Sequence, residues 1–371
     1  MKQQTSWAVQ TAETIMSASD PQGYHPELAK RWAYVPGMTL LAYARLWRQT
    51  GETKYYDYMK KHMDLFVQPD GSIRGYTIEE YNLDQVNQGK VLFPLLHATG
   101  EPRFEKAAHL LAAQLQGQPR TSEGGFWHKK VYPFQMWLDG LYMSSPFLAE
   151  YAKTFGRTEL FDEVAVQLLL VERKTRDPKT GLLFHGWDES AEQRWCDPQT
   201  GRSPHFWSRA MGWYAMAVVD ALEHFPVDHP KRGTICGIFE RMAGALEEVQ
   251  DPASGLWHQV LDCGGREGNY LEASGSCMFV YAIAKGVRLG YLSRKFKSVA
   301  GKGYRGLLEH LVETDGDGLH LHGICHGAGL GGKPYRDGSY EYYIREAVVS
   351  DAFMGLAPFM LASMEMEAQQ P

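Results

Sequence analysis

The chain has 371 residues, 44% of them hydrophobic and 22% charged, with 12% aromatics and a formal charge of -6. These are the proportions of an ordinary globular protein. They leave no basic stripe for nucleic acid, and no run approaches the roughly 18 apolar residues of a membrane span. Five cysteines without a C-x-x-C pair or metal-ligand spacing suit a reducing, cytoplasmic compartment, and the N-terminal MKQQTSWAVQTAETIMSAS lacks the apolar stretch of a secretory signal.

The chain repeats one unit six times: a polar-faced helix, a Gly- and Asp-rich turn, an aromatic segment, then a helix apolar nearly all round. The apolar helices are predicted to begin near Tyr34, Asp84, Trp137, Arg209, Ser274 and Ser350. That spacing of roughly 50 to 75 residues accommodates two helices and two loops. Between them run amphipathic helices. Tyr55, Met59, Met63 and Phe66 share one face, as do Phe104, Ala107, Ala108, Leu111 and Leu115. Turns at Gly71, Gly125, Gly181, Gly255 and Gly318 precede short apolar runs, which are predicted as strand stubs. The third and sixth apolar helices match in detail: Ser145-Pro146-Phe147-Leu148 parallels Ala357-Pro358-Phe359-Met360.

A helix apolar on every side is buried. Six amphipathic helices around six buried ones make an all-α (α/α)6 barrel, a six-hairpin toroid with short strand stubs in its loops, expected to form a single domain over residues 1–371. An open helical solenoid would repeat in the same way, but six pairs suffice to close a ring. The long connections 174–205, 262–270 and 323–345 are the stretches expected to carry function.

Asp139 stands at the start of the third apolar helix among Phe134, Met136, Trp137, Leu138 and Leu141. A carboxylate there is favoured as a cap by the helix N-terminus, while apolar company raises its pKa and suits a general acid. Asp84 holds the analogous place one unit earlier, with Gln88 at i+4 on a helical face. Asp351 could claim the same geometry in the last unit. Arg209 and Trp213 share a helix face, and Arg grips carboxylates while Trp stacks on sugar rings; an internal Arg–carboxylate pair is the plainer reading. His128 and His185 follow an aromatic residue just past a turn in adjacent units, a pattern that His258 and His320 repeat. His320, His322 and His326 offer the one spacing that could suggest a metal. No metal or other cofactor is expected, and the Gly-rich stretch 327–332 reads as a rim loop.

The segments SEGGFWHKKVYPFQMWLDGLYM, SPHFWSRAMGWY, YLEASGSCMFVYAIAKG and ELAKRWAYVPG closely resemble the unsaturated rhamnogalacturonyl hydrolases of glycoside hydrolase family 105. The resemblance runs over nearly the whole chain. It implies an (α/α)6 barrel without a metal requirement that releases Δ4,5-unsaturated galacturonic acid from rhamnogalacturonan fragments left by pectin lyases. By resemblance Asp139 matches the general acid/base and Asp84 the second acid. Tyr34, His128, Lys129, Tyr132, Arg209 and Trp213 match positions around the sugar, with His185 and Trp207 at its edge. Burial against Trp137 and Phe134 is expected to lift the Asp139 pKa, and Arg209, Lys129 or a histidine to hold the uronate carboxylate. The implied partner is an unsaturated uronyl disaccharide, acted on by a monomer or weak homodimer. An unsaturated glucuronyl hydrolase, an ordinary inverting glycosidase on the same toroid and a non-catalytic helical-repeat scaffold remain open.

Overall fold

The computed structural model describes residues 6–368. Among the described residues, twelve helices alternate outer and inner. The outer six are Trp7–Ser17, Thr53–Asp64, Pro102–Gly117, Leu160–Thr175, Arg232–Glu248 and Lys297–His310; the inner six are Tyr34–Thr50, Leu92–Thr99, Leu138–Phe155, Ser208–Leu222, Ala273–Arg288 and Phe353–Glu367. The outer helices bury one stripe, as Thr53–Asp64 does with Tyr55, Tyr58, Met59, His62 and Met63. Ser208–Leu222 is buried at every residue, because inner helices have neighbours on all sides.

Each inner element packs on the next, the second through Asn87–Val91 just before its α-helix, and the sixth packs back on the first. The ring is therefore closed, an (α/α)6 barrel rather than a solenoid. Close approach depends on small residues: a Cβ at Gly37 would lie 2.5 Å from the Gln88 backbone. The seam is fastened by Glu367, whose carboxylate accepts from Ser6 Oγ at 2.5 Å and from the Trp7 N–H at 2.8 Å, capping the first outer helix.

The second inner element departs from the expected helix at Asp84. The chain makes two 3-10 turns, Leu83–Gln85 and Asn87–Val91, before the α-helix Leu92–Thr99. Pro94 has no N–H for the Lys90 carbonyl, so an α-helix running further back would lack that bond. The matched prolines Pro146 and Pro358 do lie inside their helices. Pro146 leaves the Tyr142 carbonyl without its helical donor, and the buried Lys90 Nζ reaches it at 3.3 Å.

Short strands join the connections that lie where the inner helices start. β1 (Gln135–Trp137) pairs antiparallel with β2 (Gly186–Asp188), with Trp137 opposite Gly186. β3 (Val312–Thr314) pairs with β4 (Leu319–Leu321), and β5 (Ile324–Cys325) with β6 (Val348–Val349). Toward the opposite mouth the axis is plugged by charge. Asp220 accepts from Lys285 at 2.8 Å and pairs with Arg45 at 3.0 Å, and all but Arg45 are 2% exposed.

Candidate active site

The register of β1 with β2 places the first catalytic candidate. The Leu138 N–H donates to the His185 carbonyl at 3.0 Å, so His185, just before β2, lies beside Asp139 in the first turn of the third inner helix. Asp139 Oδ2 and His185 Nε2 face each other at 3.2 Å, and among the described residues neither atom makes a hydrogen bond of regular geometry. Burial pushes the Asp139 carboxyl up, but the neighbouring imidazole of His185, with His128 behind, outweighs it and holds the group below the ordinary carboxylate range. That corrects the expected upward shift. Phe134 contributes nothing to it, being 42% exposed with its ring against Trp127.

Asp84 is placed by a backbone crossing. Asn82 bridges to Lys129, the Leu83 N–H donates to the His128 carbonyl, and the Asn82 side chain caps the Asp84 N–H at 3.1 Å. The carboxylate then meets Lys129 Nζ at 2.5 Å and His128 Nε2 at 3.5 Å. Burial lowers the Lys129 ammonium, and Asp84 more than restores it, so the pair is ionic. Burial drives His128 to about 4, leaving it neutral at physiological pH. His128 stacks on Trp137 at 4.7 Å, as Tyr132 does at 4.9 Å. Gly140 makes room for this stack, since a Cβ there would stand 2.9 Å from His128 Nδ1. Gln88 does not share Asp84's face as an α-helix would have it. In the 3-10 turn it points back and accepts from the Ala33 N–H at 2.9 Å.

Tyr34 lies within the electrostatic reach of both halves. Burial and the charge of Asp84 push its phenol up, Asp139 adds to this, and Arg209 and Lys129 oppose it. Arg209, 2% exposed, is already engaged: Nε donates to Ser274 Oγ at 2.8 Å, Nη2 to the Cys325 carbonyl, and Glu272 lies at 3.7 Å. This is the internal pairing rather than a free fork. Trp213 is 1% exposed with Tyr142 stacked on it at 5.0 Å. Its ring also meets that of Tyr34 edge-on at 6.2 Å. Trp207 donates to Gln259 at 3.1 Å and packs on His185 at 4.9 Å. Tyr132 accepts from Arg336 at 3.2 Å.

Asp351 lies apart from this cluster, bound to His320 at 2.8 Å and to the Leu321 N–H. The histidines considered for metal are engaged separately, His320 with Asp351 and Asp315, His322 with Ser350 and Glu313. Among the described residues, His205, Asp262 and Cys263 are the group whose donor atoms lie within 4.8 Å of one another. Sequence reasoning missed Glu272, Gln259, Arg336 and Tyr343. Glu272 alone had a signal, an acid just before Ser274-Gly275-Ser276, where it caps the helix. A cavity of about 700 Å³ adjoins the site at Tyr34, walled by His25, Arg31, His326, Asp351 and Phe353, with neither Asp84 nor Asp139 in its lining. That is room for a short oligosaccharide.

The profile of Glycosyl Hydrolase Family 88 matches residues 7–370. The chain is 46% identical to a family 105 glycoside hydrolase of C. acetobutylicum, covering 98% of this chain and 100% of that one, with a TM-score of 0.94. It is 30% identical over 291 residues to the unsaturated rhamnogalacturonyl hydrolase YesR of Bacillus subtilis, 77% of each chain. An unsaturated glucuronyl hydrolase from a Bacillus species shares the fold at 13% identity, with 91% of this chain and 87% of that one covered and a TM-score of 0.68.

Proposed function

We propose a substrate for this chain, which belongs to Glycosyl Hydrolase Family 88 and is a glycoside hydrolase of the family 105 type: Δ4,5-unsaturated galacturonyl-rhamnose oligosaccharides from pectin. The observation that carries this reading is the pair of carboxylates at neighbouring inner-helix starts, each beside an imidazole, Asp139 with His185 and Asp84 with His128. The name of the Bacillus subtilis relative supports the galacturonyl-rhamnose choice.

The reaction begins with protonated Asp139 giving its proton to C4 of the vinyl ether. Positive charge develops at C5 and the ring oxygen, water adds at C5, and its proton returns to the Asp139 carboxylate. The hemiketal opens and the glycosidic bond is lost on rearrangement. In the free protein the Asp139 carboxyl is held low. A bound uronate brings a second negative charge and displaces water, and both raise a carboxyl, so the substrate itself loads the acid. Asp84, fixed as an anion by Lys129, orients the attacking water or ring hydroxyls.

The test follows the double-bond absorbance in the ultraviolet during incubation with unsaturated galacturonyl-rhamnose, unsaturated glucuronyl disaccharides and saturated glycosides. Fastest loss on the first supports the reading. Faster loss on the glucuronyl substrates reassigns the sugar, and cleavage of saturated glycosides alone removes the mechanism.

A further inference from the structure

We propose that Tyr343 is a positioning residue for this acid–base pair: its hydroxyl fixes His185 as the Nε2–H tautomer and so keeps the Asp139 proton available to the substrate. The proposal rests on the reading of Asp139 as the acid. Tyr343 lies 158 residues from His185 in sequence, in the short helix Tyr340–Arg345 of the last long connection, and its hydroxyl is 2.8 Å from His185 Nδ1. Both side chains are fully buried, and among the described hydrogen bonds this hydroxyl has no other partner.

The direction of the bond follows from counting protons. If Nδ1–H donated to the phenol oxygen, the phenol proton would have no acceptor in a dry site, which folded proteins avoid. The phenol stays protonated, since burial pushes it well above its ordinary range. So the O–H donates, Nδ1 accepts, and the imidazole hydrogen resides on Nε2, 3.2 Å from Asp139 Oδ2.

That choice matters to the chemistry. With hydrogen on Nε2, His185 can donate to the carboxylate but cannot accept from the acid, so the acid proton has only C4 to go to. In the other tautomer Nε2 presents a lone pair, competes for that proton, and repels the carboxylate left after transfer. His185 ends each turnover as it began, with one hydrogen, and Asp139 cycles between acid and carboxylate.

The arrangement is held from behind. Gln259, wholly buried, donates to the Tyr343 carbonyl at 3.1 Å and accepts from Trp207 Nε1 at 3.1 Å. Tyr343 and Trp207 lie nearly parallel with ring centroids 6.0 Å apart, and His185 packs against both. The last connection thereby supplies a part to a site whose carboxylates come from the second and third units.

The test is Tyr343→Phe, which keeps the ring and its stacking and removes one oxygen. Nitrogen NMR of the ring nitrogens reads the His185 tautomer in the unliganded protein, assigned by comparison with His185→Gln. The parent is expected to show a single Nε2–H form and Y343F a mixture of tautomers. Y343F is expected to lose kcat by about tenfold to a hundredfold, the usual range for a partner that orients a functional histidine, with KM within about twofold because Tyr343 does not touch the sugar. An Nε2–H form retained unchanged in Y343F, a parent that is not Nε2–H, or a kcat equal to the parent's overturns the proposal. A fully active Asp139→Asn would instead remove the reading of Asp139, while the nitrogen spectra would still decide the tautomer.

Discussion

Gly140→Ala tests how tightly the two halves of the site are packed against each other. The added Cβ would lie 2.9 Å from His128 Nδ1 and 3.1 Å from Leu83 Cδ1. Ordinary contact needs about 3.5 Å, so the His128 ring must retreat by roughly half an ångström. It has little room to do so, being stacked on Trp137 at 4.7 Å and facing Asp84 at 3.5 Å. Overpacking of this kind costs about 1–3 kcal/mol, and the better helix propensity of Ala returns up to about 1 kcal/mol. The net expectation is a loss of about 0–2 kcal/mol in urea unfolding. Turnover suffers more, because misplacing a working group by about 1 Å costs on the order of a hundredfold; half that displacement predicts a fall of about tenfold. Gly244→Ala, on the outer helix Arg232–Glu248 with nothing within 4 Å of the new Cβ, is the control. It should gain up to about 1 kcal/mol and keep full activity. A G140A enzyme with the activity and stability of the parent would refute the reasoning.

Asp220→Ala strips Arg45 and Lys285 of their shared carboxylate at the far mouth and should cost about 3–5 kcal/mol, as breaking a buried ion pair does; urea unfolding measures it, and a loss below about 1 kcal/mol would mean that Glu223, 2.5 Å from Lys285 and 4.0 Å from Arg45, suffices. Acid should destabilise the fold. Burial drives both His128 and His224 to about 4, so each contributes stability that is present above pH 6.5 and lost as pH falls toward 4, about 3 kcal/mol apiece. Burial also raises Glu150 to about 7, and this acts with the opposite sign, cancelling about one imidazole. Urea midpoints should therefore fall between pH 6.5 and 4, and Glu150→Gln should make the fall steeper and raise stability at pH 8. A flat profile in both proteins would contradict the assignment of these three groups.

The ring was legible because burial pattern is local. A helix such as Ser208–Leu222, apolar nearly all round and buried at every residue, declares its depth without reference to any partner. Asp139 and Asp84 stood out for a related reason, as carboxylates at the starts of buried helices. What spacing could not supply was depth along the barrel axis. Arg209 and Trp213 share a face as expected, but both are almost wholly buried, Arg209 bonded to Ser274 and the Cys325 carbonyl and Trp213 stacked on Tyr142. Spacing also could not foresee the two 3-10 turns before Leu92, in which Gln88 turns away from Asp84 to the Ala33 N–H. Glu272, Gln259 and Tyr343 reach the site across 52 to 158 residues of sequence. Nothing local marks a tyrosine that meets a histidine only once the ring has closed. The sign of the Asp139 shift was missed for the same reason, since His185 comes from the neighbouring unit.

The central claim is that Asp139 protonates a vinyl ether. Its most direct measurement compares the parent with Asp139→Asn on unsaturated galacturonyl-rhamnose, following the loss of double-bond absorbance under single-turnover conditions, with circular dichroism to establish equal folding. The account predicts steady loss by the parent and a rate lower by about 10²–10⁴ in D139N, the range of general acid–base catalysis. Parent-like loss by a folded D139N, or release of sugar by the parent with the double bond intact, would contradict it.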